Sequence, residues 1–293
     1  MKYLAAFALL AMALACGGTT ENPLPIAVQT ADLIEGPGKV AAADGVEVAY
    51  TIAGGGSPIL VFIHGWMCDQ TFWSAQVEHF SNTNTVITID LPGHGQSGSE
   101  REVWSVLAFG ADVQAVVEHL DLAEVVLIGH SMGGPVALEA ARLMPDRVIG
   151  VFGVDSLQDA DTDYDPEQMQ RLLTAFENDF AGTCRQFSTA MFPDDADPAL
   201  IEWVTNAMCD GSPEIGTALT RDFLDYDLGP ALAAVAVPVR YLNSRMWLTK
   251  VEANRRYQSN FDGIVMDGVG HFLMMEAPEA FNERLSQMIT DLS

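Results

Sequence analysis

Short apolar runs alternate with longer amphipathic segments along most of the chain. The apolar runs are rich in β-favouring residues and have few polar interruptions, which is typical of strands buried on both faces of a sheet. The segments between them repeat apolar residues at helical spacing, as at 103–120. Upstream, 39–42 and 46–52 flank an Asp-Gly turn signal and predict a hairpin. The alternation predicts an α/β domain with a mostly parallel sheet, whose later strands are 59–63, 86–89, 125–128, 148–154, 237–242 and 263–267.

The segment between the strands at 148–154 and 237–242 has a different character. Apolar residues recur there at helical spacing in two stripes, separated by acidic and polar sequence. We expect a helical cap at 156–232, inserted after the sixth strand, whose underside lines a substrate pocket. The core would then comprise 37–155 and 233–293. The first stripe is Met169, Leu172, Leu173, Phe176 and Phe180, and the second is Leu200, Ile201, Val204 and Met208.

The N-terminus carries an early lysine and then an apolar run that is too short to cross a bilayer. This pattern predicts a signal peptide at 1–15 and an exported protein. Small residues before Cys16 resemble a bacterial lipobox, in which the cysteine is lipidated; ordinary signal cleavage, with Cys16 incidental, is the alternative. A polar linker follows at 16–36. The predicted location is the bacterial cell envelope, with a lipid anchor on Cys16, or the periplasmic or extracellular space.

The charge of the chain limits its partners. Its 293 residues include 14 basic and 40 acidic residues, which give a formal net charge of −26. Such a surface repels nucleic acid and anionic lipid headgroups, because both carry dense negative charge. We therefore expect no nucleic-acid partner, and membrane contact only through the N-terminal lipid anchor.

The remaining cysteines are Cys68, Cys184 and Cys209. Export would place them in an oxidising compartment, and two of them lie in the predicted cap beside its amphipathic stripes. We predict that Cys184 pairs with Cys209 and that Cys68 is free; two unpaired buried thiols in the cap are the alternative.

The apolar strand 125–128 runs directly into Gly-His-Ser-Met-Gly at 129–133, and helix-forming sequence follows. Strand, sharp turn and helix around Gly-x-Ser-x-Gly form the pattern of a nucleophile elbow. The turn requires both glycines, because side chains there would collide with the neighbouring strand and helix. It exposes the hydroxyl of Ser131, and the amide of Met132 points to where charge would develop on an attacked carbonyl oxygen. Ser131 is therefore the candidate nucleophile.

Two further motifs accompany the elbow. The strand 59–63 ends in His-Gly-Trp at 64–66, and the strand 86–89 ends in Asp-Leu-Pro-Gly-His-Gly-Gln-Ser at 90–97. In this order the three motifs resemble the α/β-hydrolase superfamily. The resemblance implies a mostly parallel eight-stranded sheet flanked by helices, with a helical cap after strand 6, in a serine esterase or lipase. It does not identify the substrate, because this fold hosts many chemistries.

The resemblance also implies the order of the catalytic residues along the chain, which is nucleophile, acid, histidine. Of the six histidines only His271 follows Ser131. It lies in Gly-Val-Gly-His-Phe at 268–272, a loop after the last strand, where the superfamily carries its catalytic base. We therefore expect His271 to accept the proton of Ser131.

The catalytic acid is where this sequence departs from the commoner pattern. Most relatives carry it after the seventh strand, but here Asn243 begins a stretch without a carboxylate until Glu252, which we expect on a helix. The sixth strand ends directly in Asp155, and some members of the superfamily use an acid at that position. We assign the acid to Asp155 and keep Glu252 in reserve; a Ser-His dyad, with water or Asn243 beside His271, is the third possibility.

A backbone amide after the strand 59–63 is well placed to complete an oxyanion hole, so Trp66 is assigned beside Met132. Ser131 would attack the ester carbonyl of a small-molecule acyl substrate, and His271 would then activate water. This chemistry needs no metal or organic cofactor. A lactonase, an amidase, a carbon–carbon bond hydrolase or an acyltransferase of this fold remains open. The rival from another class is a protein of this fold that binds a small ligand without turnover. An intact Ser131 and His271 argue against this rival, and the missing acid after strand 7 argues mildly for it.

Overall fold

The computed structural model describes residues 33–162 and 165–292. The predicted signal peptide 1–15, the lipid anchor on Cys16 and most of the linker 16–36 lie outside the described residues. Within the part of the chain that is described, no helix combines the length and the hydrophobicity needed to cross a membrane.

The predicted sheet is confirmed. Its spatial order is β1-β2-β4-β3-β5-β6-β7-β8; β2 is antiparallel to β1 and β4, and the other neighbours are parallel. The seventh strand begins two residues later than predicted, because Pro238 has no N–H to give to a ladder. The strands are β1 (Gly36–Ala41), β2 (Glu47–Ala53), β3 (Ile59–Ile63), β4 (Val86–Asp90), β5 (Val125–His130), β6 (Val148–Val154), β7 (Val239–Ser244) and β8 (Asp262–Met266).

The helices fall into those that flank the sheet and those between β6 and β7. The latter, α4 to α8, occupy the segment predicted as a cap. In chain order the helices are α1 (Ser74–Phe80), α2 (Val106–His119), α3 (Gly133–Leu143), α4 (Pro166–Asn178), α5 (Phe180–Thr189), α6 (Pro198–Cys209), α7 (Pro213–Asp225), α8 (Leu228–Ala233), α9 (Val251–Arg255), α10 (Leu273–Glu276) and α11 (Pro278–Thr290).

The sheet is buried on both faces, which explains its uninterrupted apolar runs. In β3, Ile59, Val61 and Ile63 join one apolar cluster, while Leu60 and Phe62 join the other, as the two-residue period of a strand requires. Helices α2 and α3 contribute to the first cluster, and α1 and α11 to the second.

Local sequence signals start the cap helices. Helices α4, α6 and α7 each begin with a proline, and the residue before it accepts a hydrogen bond from a first-turn amide through its side chain. Those capping residues are Asp165, Asp197 and Ser212. A disulfide between Cys184 of α5 and Cys209 of α6 joins two of the helices, and Cys68 is free and buried. The predicted pairing is therefore confirmed.

Because β3, β5, β6, β7 and β8 are parallel, their carboxyl ends lie at one edge of the sheet. The loops that follow them carry every residue that the sequence marked as catalytic. A crevice at this edge is where ligands bind in open α/β sheets.

Candidate active site

The nucleophile elbow has the strained geometry that its sequence predicts. Ser131 lies between β5 and α3 with a φ of +53°, a conformation that costs a non-glycine residue about 1–3 kcal/mol. A side chain at Gly129 would overlap the Gly133 carbonyl, and a Cβ at Gly133 would lie 2.5 Å from the Ile63 carbonyl oxygen. The elbow therefore depends on glycine at both positions.

Hydrogen bonds from the neighbouring strand hold the elbow in this conformation. The Ser131 amide donates to the Val154 carbonyl at the end of β6, at 2.9 Å. The Ser131 carbonyl accepts from the Ser156 hydroxyl at 2.6 Å and from the Gly134 amide at 3.0 Å. With its backbone fixed on both sides, the strained turn persists without help from a ligand.

The two predicted oxyanion donors are Trp66 and Met132. Trp66 follows Gly65, where an added Cβ would lie 3.0 Å from the Ser131 Cβ, so the loop after β3 closely approaches the nucleophile. Met132 immediately precedes α3, where the helix dipole favours negative charge. Across the described ranges, neither amide donates to another protein group. Both N–H groups remain available to a ligand oxygen.

The motif histidines before Ser131 support these loops and do not act as bases. The Leu91 amide donates to His64 Nε2 at 2.9 Å, so the proton of the ring is on Nδ1, which donates to the Gly65 carbonyl at 2.8 Å. Burial lowers the pKa of His64 to about 4 and that of His94 to about 3. Both rings are neutral near pH 7. His64 joins the loop after β3 to the loop after β4, and the His94 ring packs against it with centroids 5.0 Å apart.

His271 and Asp155 are joined in the structure. His271 Nδ1 donates to Asp155 Oδ2 at 2.6 Å, which leaves Nε2 of the neutral ring unprotonated. The second oxygen of Asp155 accepts from the Ser244 amide at 2.7 Å, and the Asp155 amide donates to the Leu242 carbonyl at 3.0 Å. The Asp155 side chain is fully buried. A buried carboxylate with two donors can both orient an imidazole and stabilise its charged form.

The histidine loop is held by a carboxylate that sequence reasoning did not identify. Glu276, at the end of α10, accepts from the Gly270 amide at 2.8 Å and from the Phe272 amide at 3.0 Å. Burial raises the pKa of Glu276, and these two bonds oppose that shift. The His271 amide, between them, donates to the Met191 carbonyl of the cap at 2.9 Å. The backbone on each side of the base is therefore fixed.

The two reserve partners of His271 lie elsewhere. Asn243 is buried, and its side chain accepts from the Ser156 amide and donates to the Ser156 carbonyl, each at 3.0 Å. It fixes the turn that follows Asp155. Glu252 lies on α9, as expected from the sequence, but it is exposed and pairs with Arg255 at 3.1 Å. Of the three candidates, only Asp155 contacts the His271 ring.

Two other reactive groups near Ser131 are held in unreactive forms. His130 Nε2 donates to the His271 carbonyl at 3.0 Å, and burial lowers the pKa of His130 well below its usual range. Burial likewise raises the pKa of the Cys68 thiol well above its usual value, so Cys68 does not compete as a thiolate nucleophile.

A cavity of about 1050 Å³ opens onto the nucleophile between the core and α4 to α8. Ser131, Met132, Trp66 and His271 all line it, together with apolar cap residues such as Leu172, Phe176 and Met208. Its carboxylates other than Asp155 are Asp159, Asp225 and Asp227, and no lysine or arginine of the described residues lines it. Over the same described residues, no group of three or more His, Cys, Asp or Glu side chains is arranged to hold a metal ion.

The Trp66 side chain connects the loop after β3 to the cap. Its indole N–H donates to the Gly216 carbonyl of α7 at 2.9 Å. The same ring packs against three cap aromatics, Phe176, Phe180 and Phe187, with centroid distances of 5.4, 6.0 and 5.8 Å. The residue whose amide is the candidate oxyanion donor is thus also a main contact between the core and the cap.

Known proteins share this architecture. A model of the alpha/beta hydrolase family matches residues 60–284. A putative esterase/lipase of Haemophilus influenzae is 39% identical over 100 residues, 34% of this chain and 34% of that protein. The Karrikin insensitive 2 receptor CA of Petunia hybrida is 24% identical over 243 residues, 78% of this chain and 90% of that protein. A solved thermophilic esterase from Thermogutta terrifontis is 25% identical with a TM-score of 0.77, covering 87% of this chain and 98% of its own. The chain spans about a third of the length of the first curated relatives that it matches.

Proposed function

The chain belongs to the alpha/beta hydrolase family, and from that premise we propose that it is a serine hydrolase that cleaves carboxylic esters through an acyl-enzyme. The observation that carries the proposal is the 2.6 Å bond from His271 Nδ1 to the buried Asp155. This bond orients the imidazole so that its Nε2 can accept a proton. His271 and the strained Ser131 line the same cavity. A solved neighbour that is an esterase supports the same class of reaction.

In the first half of the reaction, His271 Nε2 takes the proton of the Ser131 hydroxyl as its oxygen bonds to the carbonyl carbon of the ester. The carbonyl π electrons move to the oxygen, where the amides of Trp66 and Met132 donate hydrogen bonds. The tetrahedral intermediate then collapses, the bond to the alkoxy oxygen breaks, and His271 returns its proton to the departing alcohol. Ser131 is left acylated.

In the second half, His271 removes a proton from a water molecule, which attacks the acyl carbon of the Ser131 ester. The same two amides stabilise the second oxyanion, and the acid product leaves as Ser131 regains its proton. Asp155 keeps its charge throughout and stabilises the imidazolium that forms in each half. Lactonases and acyltransferases of this fold would share the first half of the reaction. In a lactonase the alcohol stays attached to the acyl group, and in an acyltransferase an acceptor other than water takes the acyl group.

The test is covalent labelling of Ser131 with a fluorophosphonate probe, together with hydrolysis of short-chain esters. We expect stoichiometric phosphonylation of Ser131 and ester turnover in the wild type. Both would be absent in Ser131→Ala, and both would be strongly reduced in His271→Ala. A folded wild type that neither reacts with the probe nor hydrolyses any ester would support the alternative, a ligand-binding protein without turnover.

We also propose that the mature chain begins at Cys16 and is anchored to the bacterial cell envelope by lipid. The disulfide between Cys184 and Cys209 supports an oxidising compartment, because such bonds are rare in the cytosol. Mass spectrometry of the N-terminal peptide from membrane fractions is the test. We expect a diacylglyceryl group on Cys16; an unmodified N-terminus at another residue would overturn the lipid anchor and leave export intact.

A further inference from the structure

The loop after β7 places an aromatic ring on the candidate base. Trp247 lies in this loop, and its ring meets the His271 ring edge to face, with centroids 5.1 Å apart and planes at 83°. Both residues line the cavity. In the commoner pattern this loop carries the catalytic acid, so here its side-chain contact with the base is aromatic and not ionic.

Trp247 and its neighbour are also unusually exposed for their size. Trp247 is 41% exposed and Leu248 is 78% exposed, and both line the cavity. Two adjacent large apolar side chains left in water at the opening of a site indicate a contact surface for an apolar ligand. An indole face offers such a ligand a large area with little loss of side-chain freedom.

The chemistry determines which part of a substrate reaches this surface. His271 must return its proton to the departing alkoxy oxygen, so that oxygen has to come within hydrogen-bond distance of the ring. The rest of the leaving group then lies next to whatever flanks His271 on the open side of the cavity. Trp247 packs on the His271 ring and is partly exposed, whereas the cap aromatics pack on Trp66, whose amide is a candidate oxyanion donor.

The charged residues near this surface limit which leaving groups can bind to it. Asp159 lines the same cavity and is held by Lys250 at 2.7 Å, and Asp225 and Asp227 line it as well. No lysine or arginine of the described residues lines the cavity, and Lys250 beside it is already paired with Asp159, so an anionic leaving group would find no free ion partner there. The carboxylates of Asp225 and Asp227 would also repel it.

On the basis of the proposed ester hydrolysis, we propose that Trp247 and Leu248 form the binding surface for the leaving group. The preferred substrates are then esters of aromatic alcohols that carry no negative charge. Trp247 determines specificity for the alcohol and leaves the acyl preference to the cap.

The test compares phenyl butyrate with methyl butyrate in the wild type and in Trp247→Ala. The value of kcat/KM reports the steps up to departure of the alcohol, so deacylation, which the two substrates share, does not enter. We expect Trp247→Ala to lower kcat/KM about tenfold for the phenyl ester and less than twofold for the methyl ester. Trp247→Phe should retain at least half of the wild-type value for the phenyl ester.

Two controls complete the design. Trp203→Ala removes a tryptophan of α6 that is 44% exposed but does not line the cavity, and it should leave both substrates unchanged. A phenyl ester with a carboxylate on the ring should be a poorer substrate of the wild type than the uncharged phenyl ester, by at least tenfold.

An equal loss for both esters in Trp247→Ala would overturn the proposal, because Trp247 would then act only on His271. No loss for either ester would overturn it as well. Labelling by the fluorophosphonate probe separates these results from failure of the proposed function. If Ser131 is labelled normally in wild type and variant, only the leaving-group surface is wrong; if the wild type is not labelled, the hydrolase proposal itself fails.

Discussion

The carboxyl ends of β6 and β7 lie side by side in the sheet and provide different contacts to the same histidine, His271. The loop after β6 supplies the carboxylate of Asp155, which binds the His271 ring. The last residue of β7, Ser244, donates its amide to the other oxygen of Asp155, and the loop after β7 supplies the ring of Trp247, which packs on His271. The carboxylate that contacts His271 is therefore carried by β6 and held by β7.

Under the proposed mechanism, a catalytic acid is defined by the residue that it contacts and not by the strand that carries it. Parallel neighbours end at the same edge, so a carboxylate on either strand can reach the same imidazole. If Asp155 after β6 is the acid, as proposed, the loop after β7 does not have to supply a carboxylate. It can present an aromatic surface to the substrate instead.

The largest effect on this arrangement is expected from removing the charge of Asp155. Asp155→Asn should lower ester turnover by roughly 10² to 10⁴, because an amide cannot stabilise the imidazolium and favours the wrong tautomer. The fold should remain, since the substitution is isosteric. Steady-state kinetics on a phenyl ester, with circular dichroism as a check on folding, measures the effect. Wild-type turnover in this variant would exclude Asp155 as the acid.

A smaller effect is expected at the carboxylate that holds the histidine loop. Glu276→Gln leaves one side-chain oxygen for two amides, and we expect kcat to fall about tenfold with KM changed less than twofold. Glu279→Gln, at an exposed glutamate of α11, is the matched control. A higher KM with an unchanged kcat would contradict a role in positioning His271.

The contribution of β7 can be tested at Asn243, whose amide bonds to both backbone polar groups of Ser156. Asn243→Ala leaves these buried groups without partners, which should lower the free energy of unfolding by about 2 kcal/mol. Turnover should fall by less than in Asp155→Asn. Urea denaturation and kinetics on the same preparation give both values. Turnover lost as completely as in Asp155→Asn would make the β7 residue a full partner of the base.

The smallest effect is expected at the reserve acid. Glu252 is exposed and paired with Arg255, so Glu252→Gln removes at most a surface ion pair worth about 0–1 kcal/mol. Turnover should stay within about twofold of the wild type in kinetics run beside Asp155→Asn. An inactive Glu252→Gln would return the acid to the region after β7.

Much of this arrangement can be read from local sequence. The strands of the sheet are continuous apolar runs because both faces are covered, and the elbow follows from two glycines that a side chain would block. The resemblance to the α/β-hydrolase superfamily implies a base after the last strand, where His271 is the only histidine, and the carboxylate directly after β6 marks Asp155 as the proposed acid. Apart from the order of the catalytic residues, which the resemblance implies, each of these signals lies within a few residues of the feature that it predicts.

What the sequence does not show are contacts between distant segments. Nothing near Glu276 indicates that its carboxylate binds the amides on both sides of His271, because that depends on the path of the loop. The bond from Trp66 to Gly216 joins residues 150 positions apart. The Trp247 surface was missed for a related reason, since an exposed tryptophan in a loop has no periodic pattern around it. These features require the packing of the whole chain.

The most direct test of the account is the tautomer of His271, observed by nitrogen NMR of histidine-labelled protein near neutral pH, with the resonances assigned through His271→Gln. A bond from Nδ1 to Asp155 predicts a protonated Nδ1 and a free Nε2 in the wild type, and the reverse in Asp155→Asn. A wild-type His271 that carries its proton on Nε2, or a tautomer unchanged by Asp155→Asn, would contradict the assignment of the acid to β6.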